Sequence, residues 1–112
     1  DACLNPADEA LLEAERINIE AQAQECGIGC MLSTEKVECA TPCILEDYDL
    51  TPGCGGCYAA IIACTIENCI MYCTGDPNAP DCLKCEWEKG CREAFYTCSG
   101  LEPTPDKLPP EE

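Results

Sequence analysis

The chain of 112 residues contains no histidine. That removes the usual general base of Ser-His and Cys-His catalysis and the commonest metal ligand. Basic side chains are scarce too: 6 Lys and Arg stand against 22 Asp and Glu, for a net charge of −16. A nucleic-acid partner needs a basic face to neutralise phosphates, so none is expected, and an anionic membrane surface is disfavoured for the same reason. Asn-x-Ser/Thr is absent, which excludes N-glycosylation on sequence. Thr41, Thr51 and Thr104 each precede proline and are weak O-glycan candidates. No Gly-rich phosphate loop and no Asp-x-Asp-x-Asp-Gly calcium loop occurs. The longest mostly apolar run, Cys57–Cys73, carries Glu67 and Asn68 and is short for a membrane span. An opening at Asp1 without Met is expected of a chain already processed.

What the chain has instead is cysteine. Fourteen in 112 residues exceed the level that marks a disulfide scaffold, and the count is even. Such a density suits an oxidising compartment, so a secreted, extracellular protein is expected. The acidic excess then serves solubility.

The cysteines follow a rule. CYAAIIACTIENCIMYC (57–73) and CLKCEWEKGCREAFYTC (82–98) flank the loop TGDPNAPD. Pairing outward from that loop gives Cys73–Cys82, Cys69–Cys85, Cys64–Cys91 and Cys57–Cys98. Each pair's position numbers add to the same total within one, as for two antiparallel elements in register. Two apolar-faced helices joined as a stapled hairpin are therefore expected. A five-residue step separates Cys64 from Cys69, which rotates the face by about 140° beyond a full turn. Both arms must then coil, kink or break near their middles, and Lys89-Gly90 is the place in the second. In that arm Leu83, Trp87, Cys91, Ala94, Phe95 and Cys98 form one stripe, read as core.

Upstream, Cys26-x3-Cys30 and Cys39-x3-Cys43 put like faces one turn apart, and nesting gives Cys30–Cys39 and Cys26–Cys43. The CxxxC…CxxxC spacing resembles the alpha-hairpinin motif of small plant defence and inhibitor peptides. That resemblance implies the staple alone. A defence role is disfavoured by charge, since membrane-active peptides are basic. Cys3 and Cys54 remain and form the last pair.

Asn5 and Pro6 start a helix, with Asp8 and Glu9 at its positive end. Ala7, Ala10, Leu11, Ala14, Ile17 and Ala21 supply its apolar face, and Gly27 and Gly29 end or loosen it. The expected architecture is all-α: a small disulfide-rich bundle over 1–101 with helices at about 6–25, 34–47, 54–74 and 81–98. Pro42 should interrupt the second helix. Residues 102–112 form an acidic, Pro-rich extended tail, which only docking on its own body or on another chain would order.

Chemistry is not evident. Cys54-Gly-Gly-Cys57 has the CxxC form of a redox site without a thioredoxin-like surround. Cys54, Cys57, Cys82 and Cys85 have zinc-ligand spacing, but zinc would leave Cys64, Cys69 and Cys73 without partners. Metallothionein-like clustering is contradicted by the lack of any Cys-x-Cys. The acids read as solvated charge. No catalytic residue, cofactor or metal is expected. The first functional reading is a non-catalytic secreted structural subunit that self-associates, through apolar helix faces and the tail, into a fibre or coat. The second is a diffusible signalling ligand with a receptor as partner. The opening Asp1-Ala2-Cys3 and the acidic, Cys-rich helical composition resemble secreted ciliate pheromones.

Overall fold

The computed structural model describes residues 1–76 and 78–109. They form five helices: α1 (Pro6–Gly29), α2 (Lys36–Asp47), α3 (Pro52–Cys73), α4 (Pro80–Glu88) and α5 (Cys91–Ser99). A single 3-10 turn follows at Pro105–Lys107, and among the described residues there is no strand. The fold is a small disulfide-rich all-α bundle.

The helix starts follow local chemistry. Asn5 Oδ1 accepts from the Asp8 N–H at 3.0 Å, with Pro6 in the first turn, where its missing N–H costs nothing. Thr51 caps α3 through the Cys54 N–H, with Pro52 in the same role. α2 begins at Lys36 rather than Thr34 and runs through Pro42 without a break. Pro42 and Glu38 are exposed, so water can take the carbonyl that Pro42 leaves without a donor.

α3 is the hub and contacts α1, α2, α4 and α5. α1 runs parallel to it: Asp8 meets Thr51 at one end, and Gly27 lies against Ile62 and Ile66 at the other. The seven disulfides are Cys3–Cys54, Cys26–Cys43, Cys30–Cys39, Cys57–Cys98, Cys64–Cys91, Cys69–Cys85 and Cys73–Cys82. These are the pairs that nesting singles out, and no free cysteine remains among the described residues. They set α2 antiparallel to α1, and α4 and α5 antiparallel to α3.

Several expectations are corrected. The hairpin's second arm, expected as one helix over 81–98, is two helices divided at Lys89-Gly90, the place the five-residue step had singled out, where Gly90 takes φ 79°, a left-handed conformation open to glycine. α3 stays helical throughout. One break thus accommodates the five-residue step, because it lets α4 and α5 aim their cysteines separately. α3 also starts at Pro52 and spans 22 residues, longer than the apolar run counted from sequence. By length and a mean hydropathy of 1.4 over an 18-residue window it is long and apolar enough to cross a bilayer, yet Cys54, Cys57, Cys64, Cys69 and Cys73 bind it to its neighbours.

α1 is turned from its expected face. Ala7, Ala10, Ala14, Ile17 and Ala21 are exposed, Ile17 by 82%, and Leu11 is half-buried. The buried face is Asp8, Leu12, Ile19, Ala23, Cys26 and Gly27. A kink at Glu15 (φ −137°, ψ 23°) joins two straighter segments. The helix is pinned at both ends, by Asp8 and by Cys26 and Cys30, and those anchors decide which side faces inward. Gly27 does not end α1. It is the point of closest approach, since a Cβ there would lie 1.9 Å from Ile62 Cγ2. Gly27→Ala should destabilise the fold by about 1–3 kcal/mol. Ile62→Ala should recover part of that loss in a double-mutant cycle, measured by denaturant unfolding with the disulfides intact.

Asp8 is fully buried, not a solvated helix-end charge. Its carboxylate accepts from the Thr51 N–H (2.8 Å), the Thr51 hydroxyl (2.6 Å) and the Asn5 amide (2.6 Å). Burial opposes its ionisation. The Thr51 hydroxyl, the Asn5 amide and the Thr51 N–H together outweigh burial and hold its pKa below the ordinary 3.8. A lowered native pKa stabilises above 3.8 and loses that contribution as pH falls through the native value. Asp8→Ala should cost about 2–3 kcal/mol at neutral pH. The gap between native and variant should close on acidification below pH 3.8, as read from urea midpoints across pH.

The tail folds back on the chain's own body. Arg16 Nη2 donates to the Glu102 carbonyl at 2.8 Å, and Trp87 Nε1 donates to the Lys107 carbonyl at 3.0 Å. Lys107 is buried, and its ammonium bonds Asn78. Residues 110–112 of the expected tail lie outside the described residues.

Candidate functional site

α1 and the α4–α5 arm flank α3, leaving one side of it open as an apolar groove of about 150 Å³. Ile61, Ile62, Ile66 and Ile70 of α3 form the floor. Ala23 and Ile28 of α1 stand on one side, and Phe95 of α5 on the other. The groove exists because α3 is apolar on more sides than its partners cover. The same feature of Cys57–Cys73 is visible in the sequence.

Polar groups break the apolar lining, among them Glu20, Glu86, Arg92 and Tyr58. Glu86 and Arg92 form a buried ion pair, Nε to Oε1 at 3.1 Å. The Thr65 hydroxyl donates to Glu86 Oε2 at 2.7 Å, tying the pair to α3. Burial disfavours the charge on Arg92, but the Glu86 carboxylate, and after it Tyr96 and Glu20, together outweigh burial and raise its pKa. Sequence reasoning counted Glu86 among solvated acids. The clue was positional: Glu86 follows Cys85 and sits one turn from Cys82, so it lies beside the disulfide face.

Tyr58 also lines the groove and is only 2% exposed. Its ring packs edge-on against Phe95 at 4.8 Å. Its hydroxyl has no hydrogen-bond partner in the described structure, and neither has Arg16 Nε. Burial, and after it the Glu20 carboxylate, hold the phenol protonated well above its ordinary range, against the pull of Arg16. Tyr58 is therefore neutral, with its hydroxyl shut off from the groove beside Arg16.

Of the candidate chemistries, Cys54 and Cys57 are held in separate disulfides, to Cys3 and Cys98, so they form no CxxC couple. Cys82 and Cys85 are paired with Cys73 and Cys69. Cys73, Cys82 and Glu86 lie within 4.8 Å of one another, but both sulfurs are spent in one disulfide and offer no thiolate to a metal. The expected core stripe holds for Leu83, Cys91 and Phe95; Trp87 is half-buried beneath the tail, while Ala94 and Cys98 are exposed.

At the far end, the Ala2 and Cys3 N–H groups donate to the Cys98 and Ser99 carbonyls, both at 3.0 Å. The opening tripeptide thus satisfies carbonyls that α5 leaves free at its end. Searches against protein-family models, curated proteins and solved structures return no match.

The Glu86–Arg92 pair carries a definite expectation. Arg92→Leu leaves a buried carboxylate without its cation and should cost about 3–5 kcal/mol. Arg92→Leu with Glu86→Met, which removes both charges, should restore most of that stability. Thermal or urea unfolding of the three proteins reads the difference.

Proposed function

We propose that the chain acts outside the cell, without catalysis, as a diffusible recognition protein of the signalling-ligand kind. The observation that carries this is the self-docked tail. Residues 102–108 are held by Arg16, Trp87 and Asn78 of their own chain. They need no second subunit to order them, which removes one argument for a polymer. Seven disulfides suit an extracellular setting. A rigid, acidic body suits a molecule that travels in solution and acts by contact. Absence of catalysis is supported by the lack of histidine and by the oxidised cysteines. Asp8 and Glu86 are also engaged in structural hydrogen bonds.

One observation favours the second reading, a subunit of an extracellular assembly. Leu32 is 97% exposed and Met71 90%, and Ile28 is also exposed. Self-association would cover such side chains. Light scattering over a wide concentration range separates the two. The ligand reading expects a stable monomer of 12.1 kDa at every concentration. Concentration-dependent growth, or long filaments by electron microscopy, overturns it in favour of the assembly. Deleting 102–112 should uncover Trp87 and redden its fluorescence without changing the particle size.

A further inference from the structure

We propose that the stacked Trp87 and Tyr96 rings are a docking shelf for an extended, proline-rich segment of another protein, and that the chain's own tail lies across it as a displaceable strap. The strap shows what the shelf accepts. Thr104 (φ −71°, ψ 157°) and Leu108 (φ −67°, ψ 157°) hold the polyproline II conformation on either side of the Pro105–Lys107 turn. Pro103 and Thr104 are half-buried, and Lys107 is buried. Trp87 Nε1 donates to the Lys107 carbonyl at 3.0 Å, and the indole stacks on Tyr96 at 5.8 Å. Aromatic surfaces that take a preformed polyproline II backbone are a recurring mode of peptide recognition, and the Trp N–H gives such a surface a polar handle.

Two further observations make the strap exchangeable. Every helix carries a disulfide, but the last cysteine is Cys98, so the strap lies beyond all seven bonds and opens without straining one. Its polar anchors are few: Arg16 on the exposed Glu102 carbonyl, Trp87, and Asn78. The second observation is Lys107. Its buried ammonium has the neutral Asn78 amide as acceptor, and among the described residues no carboxylate lies within ion-pair distance of it. Burying a cation without a counter-charge is costly, which offsets part of what the strap's contacts contribute. A segment held in this way opens at low cost while the stapled body stays closed. The partner's chemistry follows from the occupant: an extended backbone, rich in proline, with a carbonyl placed for Trp87. This inference goes beyond the signalling reading and stands separately from it, because a peptide titration reads the shelf whatever the protein's role.

The test is an NMR titration of the intact, oxidised, isotope-labelled protein with an unlabelled peptide of residues 101–109. The amides of 102–108 should move saturably to free-chain positions, while the Trp87 indole N–H keeps a hydrogen-bonded shift. A strap closed about nine-tenths of the time weakens the peptide about tenfold. Pro103→Gly with Pro105→Gly, made in the protein, loosens the strap by widening the freedom of its open form. That variant should therefore bind the native peptide up to about tenfold more tightly. The same two changes made in the peptide should weaken it. Both positions lie beyond the last disulfide, so the body's amides should be unchanged in the variant. No saturable shifts in the Pro103→Gly, Pro105→Gly protein overturn the proposal. So does peptide binding that leaves the amides of 102–108 in place, or equal affinity for the native protein and the variant. A dimer of the native protein by light scattering without peptide, lost on deleting 102–112, shows the strap exchanging between two copies and overturns the choice of a foreign partner.

Discussion

Cys54, Cys57, Cys64, Cys69 and Cys73 bind α3 to the N-terminal segment, α5 and α4, and almost everything else in the molecule follows from that tether. A chain with one Phe, one Trp and few branched aliphatics has little apolar volume with which to hold helices together. Here the buried core is in large part sulfur: Cys3, Cys26, Cys54, Cys57, Cys69, Cys82 and Cys91 lie among Ile19, Ile44, Tyr58 and Phe95. A disulfide both fills space and restricts the unfolded chain. Covalent closure also relaxes the demand that each helix bury its whole apolar surface, because geometry is held by bonds rather than by complete coverage. That is why α3 can keep an open side.

Polar contacts reinforce the staples. Asp8 joins the start of α1 to the start of α3, beside the Cys3–Cys54 bond. Glu86 joins α4 to α3 through Thr65, and to α5 through Arg92, across the Gly90 break. The Glu86–Arg92 bridge and the stacked Trp87 and Tyr96 rings relate α4 to α5 across the two-residue joint, beyond what their separate disulfides fix. Removal of one partner is costly because the low-dielectric surroundings that strengthen the pair also penalise a lone charge. The tail adds a third tie, through Trp87 and Arg16.

The cysteine ladder was legible in the sequence because disulfide pairing between antiparallel helices is arithmetic: it depends on spacing alone. Gly90 was legible for the same reason, since the five-residue step demanded a break and glycine offered one. The face of α1 was not. Its alanine stripe and its true core stripe are both plausible by periodicity, and only anchors outside the helix choose between them. Counting back from Cys26 by three and seven reaches Ala23 and Ile19, the buried pair, so the cysteine was a better guide than the alanines. Asp8 and Glu86 were missed because their partners, Thr51 and Arg92, are related to them by the fold and by no sequence period. The start of α3, expected near Cys54, lies at Pro52 because the Thr51 cap and the Cys54 bond hold its first turn, Pro-Gly-Cys-Gly-Gly, a poor helix sequence.

The open side of α3 is thus a consequence of how the chain is stabilised, and it bears on function. A helix bundle held by packing alone would lose stability by leaving isoleucines uncovered, and selection for stability would close the gap. A bundle held by seven disulfides is free of that pressure. Its exposed apolar surface can be kept for a partner, whether a protein surface or a small molecule, without loss of the fold.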